Sequence, residues 1–275
     1  AMSRLAAATN DLQIGPGVAN PYETHPVTLA AKTATVAELT DGQAVFGIGP
    51  GDPSTLKNLG LTDERGLRSV LEAFKTAQQL WDGDRVSHEG TFEAQNAGLN
   101  FEVPGQIPVY VGGEGPHMCR MAGKHADGIL FNGSHPSDLA WARERVDEGR
   151  ADRPETRSSF ELLAEDEAAA AEAARPPVAY ITAGAAPPVL QRHSIDQARA
   201  ESIGTHIQEG KFSKAFELVT PSMIEAFSAT GTVETVTERI NKLSAHTDGI
   251  VIGSPLGPSP EEAIELAATA FDQAA

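Results

Sequence analysis

Ala44-Val45-Phe46-Gly47-Ile48-Gly49-Pro50-Gly51-Asp52 and Val109-Tyr110-Val111-Gly112-Gly113-Glu114-Gly115-Pro116 decide the fold. Each is an apolar run that stops at small residues and then enters a stretch with helical spacing. In α/β proteins ligands sit at the carboxyl ends of strands, where helix N-termini offer backbone N–H groups. Glycine lets a ligand approach the main chain and can take positive φ. Two such ends in one chain point to a built site, with glycine serving more than turn geometry.

Outward from these runs, strands alternate with helices. Residues 12–18, 43–49, 107–112, 127–132, 160–164 and 248–253 read as strands, about six in all. Helices are expected over 26–39, 63–81, 116–122, 136–149 and 260–274. An Ala- and Glu-rich helix over 165–183 should be interrupted at Pro176-Pro177. Residues 85–101 lose the helical rhythm and read as a short hairpin. Residues 187–243 read as helical pieces broken at Gly204, Gly210, Pro221 and Gly231. Strict alternation implies right-handed βαβ units and a parallel sheet, and short Val- and Ile-rich strands suit a sheet buried on both faces. An open doubly wound sheet and a (β/α)₈ barrel both fit that order.

The chain has 275 residues, 40% of them hydrophobic, and a net charge of −17. Such acidity argues against binding nucleic acid or an anionic membrane surface. With Lys scarce beside Arg, it suits molar salt, as in a halophile; an ordinary acidic cytoplasmic enzyme is the plainer alternative. No apolar run is long enough to span a membrane and no signal peptide is visible. The single cysteine, Cys119, excludes an intrachain disulfide and reads as a small buried residue. The eight histidines show no metal-ligand spacing, so no metal is expected.

Gly47-x-Gly49-x-Gly51 is not a dinucleotide fingerprint, since its third glycine comes too early. Asp52 is either a carboxylate at the mouth of a strand or the N-cap of a helix after Pro53. Gly112 to Pro116 is either a tight βα turn or an anion cradle for a phosphate, with Pro116 in the first helical turn. Glu114 would then contribute its backbone. Gly15-Pro16-Gly17-Val18-Ala19-Asn20-Pro21 suggests a bulge or a strained peptide.

Together, IGPGVANPYETHP, GQAVFGIGPGD, IPVYVGGEGPHMCRMAGKHADGILFNGSHP, VTPSMIEAFSATGT and DGIVIGSPLGP resemble the methylenetetrahydromethanopterin reductases of the bacterial-luciferase-like superfamily. The likeness runs in order over nearly the whole chain. It implies a luciferase-like (β/α)₈ barrel, a single domain over 1–275, with insertions at about 84–102 (a hairpin) and about 187–243 (helices). The family begins with two further βα units, so the barrel is expected to be N-terminally incomplete. The resemblance implies coenzyme F420 as the cofactor and a methylene-tetrahydropterin as the substrate, of methanopterin or folate type. It implies a non-prolyl cis peptide at Gly17-Val18 behind the deazaflavin, with Asn20, Gly49, Pro50 and Gly51 near the ring. Gly113, Glu114, Gly115 and Pro116 would hold the coenzyme phosphate. Phe227 and Ser228 would approach the pterin. Asp52, with a pKa raised by burial, would be the acid at the reaction centre. A cytoplasmic homo-oligomer is implied as well. The competing expectations are another F420- or FMN-dependent luciferase-like oxidoreductase, and a barrel that only binds coenzyme or a partner.

Overall fold

The computed structural model describes residues 1–9, 11–61, 65–133, 135–151, 157–159, 167–251 and 259–274. They form two compact units, one of Ala1–Phe131 with Glu144–Arg157 and one of Asn132–Arg143 with Ser158–Ala275.

The first unit runs α1 (Met2–Ala6), α2 (Pro26–Leu39), β1 (Phe46–Ile48), α3 (Pro53–Asn58), α4 (Gly66–Trp81), β2 (Val86–Glu89), β3 (Glu93–Ala97), β4 (Val109–Gly112), α5 (Pro116–His125) and β5 (Gly128–Leu130). α6 (Pro136–Gly149) then belongs partly to each unit. Proline opens α2, α3 and α5, where its fixed φ suits the first turn and its missing N–H costs nothing. β1, β4 and β5 are parallel neighbours, with Ile48 opposite Val111 and Val111 opposite Ile129. These three side chains are fully buried. Trp81 of α4 meets Phe46 edge to face at 5.4 Å and donates its indole N–H to Ala30 O of α2 (3.0 Å).

Residues 12–18 do not form the expected continuous strand. Ile14 and Ala19 make isolated parallel bridges to Ala44 and Ile48, on either side of Gly15-Pro16-Gly17. Pro16 has no N–H to give to the ladder, and the chain bulges there. Ladder bonds resume where Ala19 N–H donates to Gly47 O (2.8 Å).

β2 and β3 pair antiparallel as the expected hairpin. His25 and Glu72 fasten it. His25 Nδ1 accepts from Val27 N–H at the start of α2, while its Nε2 reaches Glu93 O (3.0 Å). Glu72 of α4 accepts from Thr91 N–H (2.8 Å) and Arg68, with His88 Nε2 3.3 Å away. Burial alone would raise the Glu72 carboxyl; those partners outweigh it and hold the group at about 2. A carboxyl with a depressed pKa stabilises the fold fully above its ordinary value of 4.5 and ceases to do so as pH falls toward 2. Glu72→Gln is therefore expected to lower stability at neutral pH, with the gap to the unsubstituted protein closing across that acid window. Denaturant titrations at stepped pH measure it, and a pH-independent gap would contradict the account.

The chain passes to the second unit at β6 (Arg157–Ser159), last in the sheet order β1-β4-β5-β6. The strand expected at 160–164 lies outside the described residues. The second unit continues as α7 (Glu167–Gly184), α8 (Pro187–Arg192), α9 (Gln197–Gln208), α10 (Phe212–Glu217), α11 (Pro221–Phe227), α12 (Val233–Ser244) and α13 (Pro260–Gln273). Two expected breaks are absent. α7 continues through Pro176-Pro177, held by the buried Ala174, Val178 and Ala179 and by Arg175 Nη1 donating to Val219 O (2.7 Å). α9 continues through Gly204, which has ordinary helical backbone and packs against Ala183 of α7. Residues 248–251, expected to begin the last strand, are irregular, and 252–258 lie outside the described residues. Among the described residues no helix is long and apolar enough to cross a membrane.

Candidate active site

At the carboxyl ends of β1 and β4 the main chain is bare. The Gly17-Val18 peptide is cis, at the position the resemblance implies. Val18 is seated on two glycines: a Cβ on Gly49 would lie 2.9 Å from Val18 Cγ2, and one on Gly112 would lie 3.0 Å from Val18 Cγ1. Val18 remains 40% exposed. An apolar side chain left open above two residues without side chains is a surface for a flat ring. Asn20 closes one side of it. Asn20 Oδ1 accepts from Tyr22 N–H (2.8 Å), and its amide lies where a Cβ on Gly51 would be, with Gly51 at φ 85°. Asn20, Gly49, Pro50 and Gly51 thus share one strand mouth with Val18.

Beyond β4, Gly113 N–H donates to Leu130 O (3.2 Å), so this glycine extends the sheet and its N–H is not available to an anion. The cradle narrows to Glu114, Gly115 and the first turn of α5. Gly115 is the N-cap of α5, caps it with no side chain, and has open space where a Cβ would stand. Backbone N–H groups in a helix's first turn lack helical acceptors, and the dipole favours an anion there. Pro116 supplies shape only. Cys119, in the same helix, is fully buried, and burial pushes its thiol up to about 11, so it stays an unreactive packing residue.

Asp52 is the N-cap of α3, with Oδ2 accepting from Thr55 N–H (2.7 Å). It is exposed. The burial expected around it is therefore absent, because α3 starts at the mouth of the strand and its cap faces solvent.

In the second unit, Ser228 is buried and its hydroxyl donates to Ile224 O (2.7 Å), while Phe227 meets His193 edge to face at 5.6 Å. His193 belongs to a cluster that sequence reasoning missed. Asp138, nearly fully buried near the start of α6, accepts from Arg192 Nε at Oδ1 (2.7 Å) and pairs with His193 Nε2 at Oδ2 (2.6 Å). Burial would raise the Asp138 carboxyl; His193 and Arg192 outweigh it and hold it below the usual carboxylate range. Arg192 also stacks over Trp141, 4.5 Å from its centroid. His135 lies edge-on to His193 at 4.9 Å and accepts from Ser137 N–H at Nδ1. Burial, then Arg239 and His193, push the His135 pKa down, which agrees with an accepting ring nitrogen. Adjacent Arg192-His193 was the only local cue; their partner lies over 50 residues away.

Among the described residues, no three His, Cys, Asp or Glu side chains are grouped as metal ligands. The luciferase-like monooxygenase family model matches residues 1–249. The 5,10-methylenetetrahydromethanopterin reductase of Archaeoglobus fulgidus is 38% identical over 95% of this chain and 82% of its own length. The chain belongs to this reductase family. The family's enzyme from Methanopyrus kandleri is 36% identical over the same shares of the two chains. The structure of the coenzyme F420 dependent tetrahydromethanopterin reductase from that organism superposes with a TM-score of 0.87 at 33% identity, covering 96% of this chain and 84% of the other. The fold of this family member is thus the luciferase-like α/β barrel fold with a parallel sheet. An F420-dependent secondary alcohol dehydrogenase, 18% identical with a TM-score of 0.78 over 100% of this chain and 83% of its own, shares that fold.

Proposed function

We propose that this reductase-family chain transfers a hydride from reduced coenzyme F420 to 5,10-methylene-tetrahydromethanopterin, giving the 5-methyl pterin. The observation that carries the reading is the 38% identity to a 5,10-methylenetetrahydromethanopterin reductase over nearly the whole chain. The local geometry fits the cofactor. Val18, Gly49 and Gly112 form a platform with no side chain to obstruct a planar ring, and Asn20 bounds it. Glu114, Gly115 and the first turn of α5 are the donors for a coenzyme phosphate, with Pro116 setting their direction.

The deazaflavin, when bound, supplies the hydride; the protein's part is position and a proton. Asp52 is the candidate to hold that proton for the pterin nitrogen, and Phe227 and Ser228 are the candidates to bound the pterin. Asp52→Asn separates the two roles of this residue, because asparagine caps a helix as well as aspartate does. The variant is expected to keep its melting temperature and coenzyme affinity while kcat falls by about 10²-fold or more. An unchanged kcat would remove Asp52 from the chemistry. Coenzyme binding itself is tested by fluorescence titration with F420 in molar salt, with FMN as control; saturation by F420 alone is the expected result.

A second reading has one observation in its favour. The F420-dependent glucose-6-phosphate dehydrogenase of Microbacterium testaceum is 30% identical over 60% of this chain and 51% of its own. The substrate then differs while the coenzyme platform stays the same. The net charge of −17 supports a cytoplasmic enzyme of a halophile that works on small molecules, not nucleic acid or membrane. A homo-oligomer without a metal completes the proposal.

A further inference from the structure

The second unit holds a cavity of about 430 Å³ between α7, α11 and α12, lined by Arg175, Arg239, Lys242, Glu225, Glu238 and Ser228 among others. Its charges are unusual for this chain, where 38 acidic residues face 21 Lys and Arg. Elsewhere the half-buried arginines find carboxylates, as Arg192 finds Asp138 and Arg143 finds Asp248. Arg239 and Lys242 make no ion pair among the described residues. Arg239 is half-buried, and its Nη2 donates to the main-chain O of Glu225 (2.7 Å). That bond fixes the plane of the guanidinium and leaves its other N–H donors uncommitted. Burial lowers the Arg239 pKa, with Glu225 opposing it. Arg175 is held in place by Val219 O. Glu225 and Glu238 are exposed, so water can screen their carboxylates, while Arg239 and Lys242 line the cavity from α12. A fixed, partly desolvated guanidinium beside a lysine is the arrangement that recognises a carboxylate or phosphate. The volume suits part of a small molecule. Ser228 lines the same cavity and is one of the two residues proposed to bound the pterin.

We infer that this cavity binds an oxyanion, a carboxylate or phosphate carried by the pterin substrate's side chain. The inference rests on the proposed function for its choice of ligand. The test is Arg239→Gln and Lys242→Gln, read by KM for the pterin, kcat, KM for F420 and melting temperature. Lys242 is exposed and makes no ion pair, so its variant folds. Arg239→Gln is expected to raise the pterin KM about tenfold, with kcat and the F420 KM held. Lys242→Gln should raise it less. A pterin analogue whose side chain carries no acidic group should show no difference between unsubstituted protein and variants. Unchanged pterin KM in both variants, or an equal rise with the uncharged analogue, overturns the inference. Calorimetric titration with inorganic phosphate separates the sources. Phosphate binding that Arg239→Gln abolishes, without any KM effect, marks a site for a free anion and overturns the substrate assignment. If no pterin is turned over at all, the proposed function fails; phosphate binding lost in Arg239→Gln then still supports an oxyanion site, and no phosphate binding overturns that too.

Discussion

Gly47→Ala is expected to cost about 3 kcal/mol, the upper end of what overpacking a closed site costs, and to abolish F420 binding. A Cβ at this position would lie 2.1 Å from Pro16 O and 3.1 Å from Leu130 Cδ1. The first of these is main chain, so no side-chain rotation relieves it. Only movement of the 15–17 bulge would, and that bulge sets Val18 on Gly49 and Gly112. Stability and coenzyme affinity should therefore fall together. Thermal unfolding and F420 fluorescence titration of the variant measure the two effects. A variant with both unchanged would show that the close approach of Pro16 to β1 does not build the site.

Asp138→Ala is expected to destabilise the protein by about 3–5 kcal/mol, because removing one member of a buried ion pair leaves the Arg192 guanidinium without its counter-charge and the buried His193 ring without its hydrogen-bond partner. The partners here are Arg192 and His193, both bonded to the carboxylate. The His193 side chain is 6% exposed, so water cannot replace what is lost. Since the Asp138 pKa is held down, its contribution is present above the ordinary carboxylate range and disappears as pH falls below it. Denaturant unfolding followed by circular dichroism checks the loss. His135 and Phe227, whose rings lean on His193, should become mobile in the same variant, visible as averaging of their ring NMR signals. A change under about 1 kcal/mol would mean that the pair is no more than a surface ion pair.

Much of the geometry of the proposed coenzyme platform is legible in the sequence because it is local. Gly49 and Gly112 follow apolar runs directly, Gly51 and Gly115 come shortly after them, and Pro53 and Pro116 mark the first turns of the helices that follow the strand ends. The Gly17-Val18 cis bond was reached through the resemblance; composition alone offered only a bulge or a strained peptide. The misses share a physical cause. Whether Gly113 N–H serves an anion or a neighbouring strand depends on where Leu130 lies in the sheet, which no local signal carries. A position at a strand mouth suggests a buried Asp52, while the short α3 leaves this cap residue in solvent. α7 survives two prolines because its buried face packs against three other helices, a tertiary effect that overrides propensity. The Asp138 cluster and the Arg239 cavity are assembled from elements distant in sequence, and their residues look like ordinary solvated charges until the helices are placed.

The measurement that bears most directly on the proposed function follows oxidation of reduced F420 by absorbance, in molar salt, on adding 5,10-methylene-tetrahydromethanopterin, with glucose 6-phosphate and oxidised F420 as the parallel assay. The account expects oxidation that saturates with the methylene pterin and no reduction of F420 by the sugar phosphate. A protein that binds F420 yet leaves the methylene pterin untouched, or that reduces F420 with the sugar phosphate, would contradict it.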